Sequence, residues 1–159
     1  VSVFNGTPPT IRVLASEAEE GQAIAEWLGE LEKLGVQPHE VGIFVRSEAQ
    51  IPRAKSAAER AGLAVKVLDE NVEVVVGHVS VGTMHLAKGL EFRAVAVIGC
   101  DDEVIPLQSR MEEVGDEADL KEVYDTERYL LYVACTRARD HLLVTAAARP
   151  SEFLADLAQ

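Results

Sequence analysis

Runs of consecutive apolar residues alternate along the chain with segments of helical periodicity. Uninterrupted runs rich in Val, Ile and Ala are typical of strands that are covered on both faces of a sheet. Such runs predict strands at residues 11–15, 41–46, 63–67, 94–99 and 142–146. Two further runs, at 72–76 and 79–84, predict a pair of strands separated by Gly77 and His78.

The segments between the strands carry signals for helices. Ser16, followed three residues later by Glu19, forms a capping box that predicts the start of the first helix, and Gly35 predicts its end. Further helices are predicted at 47–62, with Pro52 early in the segment, at 117–139 and, after Ser151, near the end of the chain.

The alternation of apolar strands with helices predicts one α/β domain over residues 1–159, with a mainly parallel sheet. In open sheets of this kind, ligands gather beyond the carboxyl ends of the strands. Arg46, the polar residues of TMHLAKGLEF (83–92) and the acidic residues 101–103 all follow predicted strands. These positions are therefore the first candidates for a functional site.

Composition narrows the class of protein. The chain is 48% hydrophobic and 26% charged, as expected of a globular domain, and its net charge of -12 argues against a general nucleic-acid coat protein. No apolar run approaches the roughly 20 residues of a membrane span. The chain begins at Val1 without Met or a secretion signal, so we expect a cytoplasmic fragment of a longer protein. Cys100 and Cys135 lack metal-ligand spacing and are interpreted as buried thiols.

The stretch TMHLAKGLEF places His85, Lys88, Gly89 and Glu91 close together at the end of an apolar run. A solvated turn accounts for any one of these residues, whereas their combination favours a ligand site. A strand followed by acids, as at 101–103, is typical of a magnesium-holding segment, but that function needs a phosphate loop ending in Gly-Lys. No Gly in the chain is followed by Lys, so 101–103 is interpreted as an acidic loop and no metal site is predicted.

The third polar cluster is ERYLLYVACTRARD, at residues 127–140. Its Thr136, Arg137 and Arg139 are predicted to crowd the last turn of the long helix. Cations are stabilised at a helix C-terminus, so this cluster is explained equally well by helix stability and by a binding role. Arg46, just after the strand VGIFV, is by itself compatible with an ordinary surface arginine.

Taken together, three segments resemble the motifs of UvrD/Rep-type superfamily 1 DNA helicases. VGIFVRSEAQ resembles their motif IV, GTMHLAKGLEF their motif V and ERYLLYVACTRARDHLLVT their motif VI, in the family's order. The resemblance covers about residues 10–147. It implies a RecA-like (P-loop NTPase-like) three-layer domain without its own phosphate loop, which is the C-terminal motor domain of an ATP-dependent helicase.

The resemblance also implies roles for residues near a nucleotide. Arg46 and Arg137 would reach the γ-phosphate as arginine fingers, which neutralise charge on the transferred phosphoryl group. Lys88 and Gly89 would lie near the phosphates, and Glu91 near the sugar and magnesium. ATP and Mg²⁺ would be shared with an N-terminal RecA-like domain, so the isolated chain is not expected to hydrolyse ATP.

On the same resemblance, Thr83 and His85 would face a track for single-stranded DNA, so that motif V would touch both ligands. One departure concerns the aromatic residue that often precedes the motif IV arginine, because this chain has Val45 there and Phe44 one residue earlier. The sequence therefore leaves adenine stacking on this domain open. The net charge of -12 predicts weak DNA binding by the domain alone.

A second function of a different class stays open from the sequence. The chain could be a stand-alone, non-catalytic RecA-like module that binds another protein through its acidic region at 101–127. An upstream reading frame with a phosphate loop would favour the helicase, and a gene that encodes only these residues would favour the interaction module.

Overall fold

Six parallel strands form the sheet in the computed structural model, which describes residues 9–157. The strands are β1 (Thr10–Leu14), β2 (Val41–Val45), β3 (Ala64–Val67), β4 (His78–Thr83), β5 (Phe92–Val97) and β6 (Ala138–Ala147). Their order across the sheet is β1-β6-β5-β2-β4-β3, and every neighbouring pair is parallel.

Helices connect the strands. They are α1 (Glu17–Lys33), α2 (Ile51–Arg60), α3 (Gln108–Glu112), α4 (Glu117–Cys135) and α5 (Leu154–Leu157), with single 3₁₀ turns at Pro38–Glu40, Glu48–Gln50 and Met84–Leu86. Within residues 9–157, none of the helices has the length and apolar character needed to cross a membrane.

The sheet is covered on both faces, and the core accordingly has two halves. On one face α1 and α2 pack through residues such as Ile24, Leu28 and Ala57 against the inner strands. On the other face α4 and α5 pack through residues such as Leu131 and Leu154. The predicted three-layer α/β fold with a mainly parallel sheet is therefore confirmed.

Local signals fix the helix ends. The Ser16 hydroxyl accepts a hydrogen bond from the Glu19 backbone N–H at 3.2 Å, and Asp116 accepts one from the Asp119 N–H at 2.9 Å. After α1, Gly35 adopts a positive φ of 84°, which glycine tolerates without a steric penalty. The predicted start of the first helix at Ser16 is confirmed.

The predicted strand at 72–76 is wrong. These residues form an irregular connection, and the Val76 side chain is 78% exposed. The physical reason is topological: β3 and β4 are parallel neighbours, so the chain must return from the carboxyl end of one strand to the amino end of the next. The valines in this connection have no strand to pair with and little surface to pack against.

The predicted helix at 117–139 is too long. Helix α4 ends at Cys135 and β6 begins at Ala138, so Arg139 lies in a strand and not in the last helical turn. Strand β6 pairs with β5 from Ala138 onwards and with β1 from Leu143 onwards. The backbone hydrogen bonds available in the sheet outweigh the helical periodicity of this stretch.

Both cysteines are buried and free, as predicted. Burial raises the pKa of the Cys135 thiol to about 12, so it stays protonated at neutral pH. These thiols act as small apolar side chains in the half of the core beneath α4.

Phe153 provides a test of how the C-terminal segment stabilises the domain. Its ring is 1% exposed, lies edge-on to Tyr124 at 5.7 Å and is covered by Arg128 at 4.9 Å. We predict that Phe153→Ala lowers the free energy of unfolding by about 3–5 kcal/mol in urea denaturation. The exposed aromatic Tyr129 on α4 is the control, and its replacement by Ala should change the free energy by less than about 0.5 kcal/mol. Equal effects of the two substitutions would contradict the role assigned to Phe153.

Candidate functional site

Three of the predicted site residues meet at the carboxyl edge of the sheet. Strands β2 and β4 are neighbours in register, with Val45 opposite Thr83. Arg46 follows the first strand directly, and His85 lies in the 3₁₀ turn that follows the second. Arg46, Thr83 and His85 all line one open cavity of about 620 Å³. The structure thus brings these three residues together.

Arg46 is held from behind by a buried carboxylate. Its Nε donates to Oε1 of Glu127 at 2.7 Å, and its Nη2 donates to Oε2 at 2.6 Å. Arg46 is 4% exposed and Glu127 is fully buried. Such a paired, two-point contact fixes the plane of the guanidinium group, so Arg46 has one defined orientation at the edge of the cavity.

Glu127 accepts two further hydrogen bonds, from the Leu107 backbone N–H at 2.7 Å and from Arg110 at 2.8 Å. Burial opposes ionisation of this carboxyl group. The bonds from Arg46, Leu107 and Arg110 outweigh that cost and lower the pKa of Glu127 below its usual value. One charged carboxylate therefore ties the end of β2, the segment before α3 and helix α4 together.

His85 lies beside this ion pair, and its side chain is exposed. Desolvation where the ring contacts the protein and the positive charge of Arg46, with a smaller contribution from Arg110, lower the pKa of His85, and Glu127 opposes this shift less strongly than Arg46 supports it. The lowered pKa favours the neutral imidazole, which can both donate and accept a hydrogen bond.

The other predicted residues of motif V lie at the opposite edge. Because β4 and β5 are parallel, residues 84–91 must run from the carboxyl edge to the amino edge of the sheet. Met84 and Ala87 are buried and anchor this segment on the α4 face. Lys88, Gly89 and Glu91 are exposed just before β5, and Gly89 makes the turn with a φ of 84°.

Arg137 joins this second group. It lies between the end of α4 and the start of β6, and it is half-buried. Its Nε donates to the Val133 carbonyl at 3.2 Å and its Nη1 to the Leu90 carbonyl at 3.5 Å. The structure therefore brings Arg137 together with Lys88, Gly89 and Glu91.

The structure does not bring Arg46 and Arg137 together. Arg46 follows the carboxyl end of β2, whereas Arg137 precedes the amino end of β6, and all strands point the same way. Along α4, the partner of Arg46 at Glu127 lies eight residues before the helix end at Cys135, or ~12 Å at the helical rise. The expected convergence of both guanidinium groups on one phosphate is not found in this arrangement.

The acidic loop is engaged in structural contacts. Asp101 accepts hydrogen bonds from Arg53 and from the Ala147 backbone N–H, while Asp102 and Glu103 are exposed. Over residues 9–157, no cluster of three or more His, Cys, Asp or Glu side chains is arranged to hold a metal ion.

Sequence reasoning missed the two buried glutamates, Glu127 and Glu20. Both lie on the apolar stripe of an amphipathic helix: Glu20 precedes Ile24 and Leu28, and Glu127 precedes Leu131. A lone carboxylate within such a stripe is costly to bury without a partner, and that pattern could have predicted a buried ion pair.

Residues 68–149, just over half of the chain, match the family described as UvrD-like helicase C-terminal domain. The chain belongs to this family, and the predicted resemblance is confirmed.

Several proteins of known name are similar to the chain. The Bacillus subtilis (strain 168) protein YjcD, provisionally named an ATP-dependent DNA helicase, is 48% identical over 68 residues, which are 42% of this chain and 8% of that protein. The ATP-dependent DNA helicase UvrD1 of Mycobacterium leprae is 42% identical over 77 residues, or 48% of this chain and 9% of that protein. The chain thus spans about a tenth of the length of these relatives.

A solved structure shares the fold. It is the C-terminal domain of a possible DNA helicase from Lactobacillus plantarum WCFS1, with a TM-score of 0.70 and 23% sequence identity. The similarity covers 96% of this chain and 82% of that one. At this identity the likeness establishes the fold alone.

The four-bonded carboxylate of Glu127 gives a testable stability prediction. Replacing Glu127 by Gln leaves the shape but removes the charge that compensates the buried Arg46. We expect a loss of about 3–5 kcal/mol in the free energy of unfolding, measured by urea denaturation at neutral pH. Glu122→Gln, an exposed position on the same helix, is the control and should change little.

The stability that the Glu127–Arg46 pair contributes depends on pH through the pKa of Glu127. Because folding lowers the pKa of Glu127, its stabilisation is fully present above the ordinary value of 4.5. It is lost as the pH falls from there through the lowered pKa of the folded state. Glu127→Gln should therefore lose less stability than the wild type over this acid range, and parallel profiles would contradict the assignment.

Proposed function

We propose that this chain is the second motor domain of an ATP-dependent DNA helicase and contributes to a nucleotide site and a DNA track at opposite edges of its sheet. Membership of the UvrD-like family makes it a C-terminal helicase domain. The observation that carries the finer proposal is the course of residues 84–91. This segment begins beside Arg46 at one edge and ends beside Arg137 at the other.

The nucleotide is proposed to bind at the amino edge. Lys88 and Arg137 provide positive charge there, Gly89 lets the backbone approach a phosphate, and Glu91 provides a carboxylate for a sugar hydroxyl or a magnesium-bound water. Arg137 is proposed as the arginine finger. Its guanidinium is bonded only to carbonyl and hydroxyl oxygens among the described residues, so its charge is not neutralised by a carboxylate.

Arg46 is proposed to act differently from Arg137. Its charge is compensated by Glu127, and reaching a nucleotide at the amino edge would require breaking that buried pair. We therefore retain Arg137 as the finger and assign Arg46 to the wall of the cavity at the carboxyl edge.

Single-stranded DNA is proposed to contact Thr83 and His85. The neutral imidazole of His85 suits hydrogen bonds to bases or sugars better than an ion pair with a phosphate. The cavity beside it also contains the carboxylates of Glu48, Asp69 and Glu70, which oppose close approach of phosphates. Binding by this domain alone should therefore be weak, and a second domain must supply much of the affinity.

ATP hydrolysis is proposed to need a partner domain with a phosphate loop. The chain has no Gly-Lys pair of that kind, so Lys88 and Arg137 would form one wall of the nucleotide site and the partner domain the other. Bound ATP with Mg²⁺ would supply the phosphoryl group whose charge Arg137 neutralises in the transition state. The isolated chain is accordingly proposed to be inactive.

Arg137→Ala tests the nucleotide side in the full-length protein. We predict a fall of at least ~10³-fold in DNA-stimulated ATP turnover, which is the lower end of the effect of an arginine finger. The matched control is Arg139→Ala, whose side chain is exposed and paired with the adjacent Asp140. Unchanged circular dichroism would establish that the fold is retained, and normal turnover by Arg137→Ala would exclude its catalytic role.

His85→Ala tests the DNA side in the same protein. We predict that it raises the concentration of single-stranded DNA needed for half-maximal stimulation several-fold, as expected for the loss of one contact of ~1 kcal/mol. Turnover at saturating DNA should change little. His39→Ala, in the 3₁₀ turn at the amino edge, serves as the control. A higher KM for ATP with unchanged DNA dependence would contradict the assignment of His85.

A further inference from the structure

On the face covered by α1 and α2, the carboxyl ends of β5 and β2 adjoin a filled polar cluster of Glu20, Arg53, Gly99 and Asp101, called the switch-point crevice, that the proposed function does not use. The connection after β2 runs through α2 on one face of the sheet, and the connection after β5 runs through α3 and α4 on the other. The two connecting segments thus leave adjacent strands on opposite faces of the sheet. In open parallel sheets this switch point is where ligands bind.

The crevice contains the guanidinium group of Arg53, which reaches it from α2. The Arg53 side chain is 8% exposed. It lies against the backbone of Gly99, where a Cβ would meet the Arg53 Cζ at 3.3 Å. Gly99 has a φ of 65°, so both its conformation and the close approach of the cation favour glycine here.

Two carboxylates accept the hydrogen bonds of the donor groups in the crevice. Glu20 of α1 accepts hydrogen bonds from Arg53 Nε at 2.6 Å, from the Gly99 backbone N–H at 3.0 Å and from the Thr145 hydroxyl at 2.7 Å. Asp101 accepts bonds from Arg53 Nη1 at 2.8 Å and from the Ala147 backbone N–H at 2.7 Å. Each of these donors is aimed at a carboxylate oxygen, and Arg53 Nη1 also donates to the amide oxygen of Gln50 at 3.1 Å.

This set of donors is the one that proteins use for free oxyanions. A guanidinium group, backbone N–H groups at strand ends and a hydroxyl together satisfy the oxygens of a carboxylate or phosphate. Glu20 is completely buried, so its carboxylate lies within the protein like a bound ligand. Its partners lie far away in sequence, with Thr145 separated by 125 residues.

We propose that the switch-point crevice is an oxyanion-binding site whose ligands are internal, the carboxylates of Glu20 and Asp101. These side chains occupy the positions at which a free carboxylate or phosphate would bind. Removal of either one converts the crevice into a site for a small free oxyanion. In the wild type the two carboxylates close the crevice to nucleotide phosphates. This inference does not depend on where the proposed helicase binds ATP.

Chemical rescue of Glu20→Ala tests this inference on the chain itself. The variant should have a lower melting midpoint than the wild type, because Arg53 loses a buried partner. Sodium acetate, which restores the missing carboxylate, should raise the midpoint in a saturable way relative to sodium chloride at equal ionic strength. Inorganic phosphate is the second probe and distinguishes a planar carboxylate site from one that also admits a tetrahedral oxyanion.

The control for general salt effects is Phe153→Ala, which is destabilised in the half of the core on the other face of the sheet from α1 and α2. It should show no acetate-specific shift, and neither should the wild type. Adding Arg53→Met to Glu20→Ala should abolish the rescue. Saturation-transfer NMR on acetate should detect binding to Glu20→Ala and none to the wild type.

Asp101→Ala provides an independent variant, since Asp101 lies at the margin of the crevice and Glu20 still pairs with Arg53 in its absence. If Glu20→Ala does not fold even in acetate, Asp101→Ala alone tests whether the crevice binds a free oxyanion. An oxyanion-specific shift in either variant, lost without Arg53, supports the inference. Shifts in both variants no larger than those of Phe153→Ala, or an equal shift in the wild type, would overturn it.

Discussion

Every strand of the sheet points the same way, and this constraint determines where each functional group lies. Side chains that follow a strand gather at one edge, and side chains that precede a strand gather at the other. The connecting segment of motif V passes from the carboxyl edge to the amino edge, because β4 and β5 are parallel. Its polar residues therefore divide into a group beside Arg46 and a group beside Arg137. A tight cluster in the sequence thus becomes two sites in the fold.

Buried charge holds the carboxyl edge in shape. Glu127 compensates Arg46 and Arg110, and Glu20 with Asp101 compensates Arg53. Taking these ions out of water is costly, and the cost is offset because their oxygens also accept backbone N–H groups and a hydroxyl. The two networks tie α1, α2 and α4 to the ends of the central strands. They leave Arg137, at the other edge, without a carboxylate partner among the described residues.

The sequence was sufficient to predict the fold class and the family, because apolar strands, capping residues and the order of the motifs are local patterns. It was not sufficient to predict the pairing of Arg46 with Glu127, which are 81 residues apart. Local patterns also failed where topology decides the outcome. Residues 72–76 have the composition of a strand but serve as a return connection, and residues 138–140 have helical periodicity but begin β6. The two-arginine prediction depended on such long-range placement.

Hydrogen–deuterium exchange on the full-length protein tests the separation of the two edges most directly. A non-hydrolysable ATP analogue alone should slow exchange at residues 88–91 and 136–138, and single-stranded DNA alone should slow exchange at 46–48 and 83–86. Protection of 46–48 by the nucleotide, with no change at 88–91, would contradict the account.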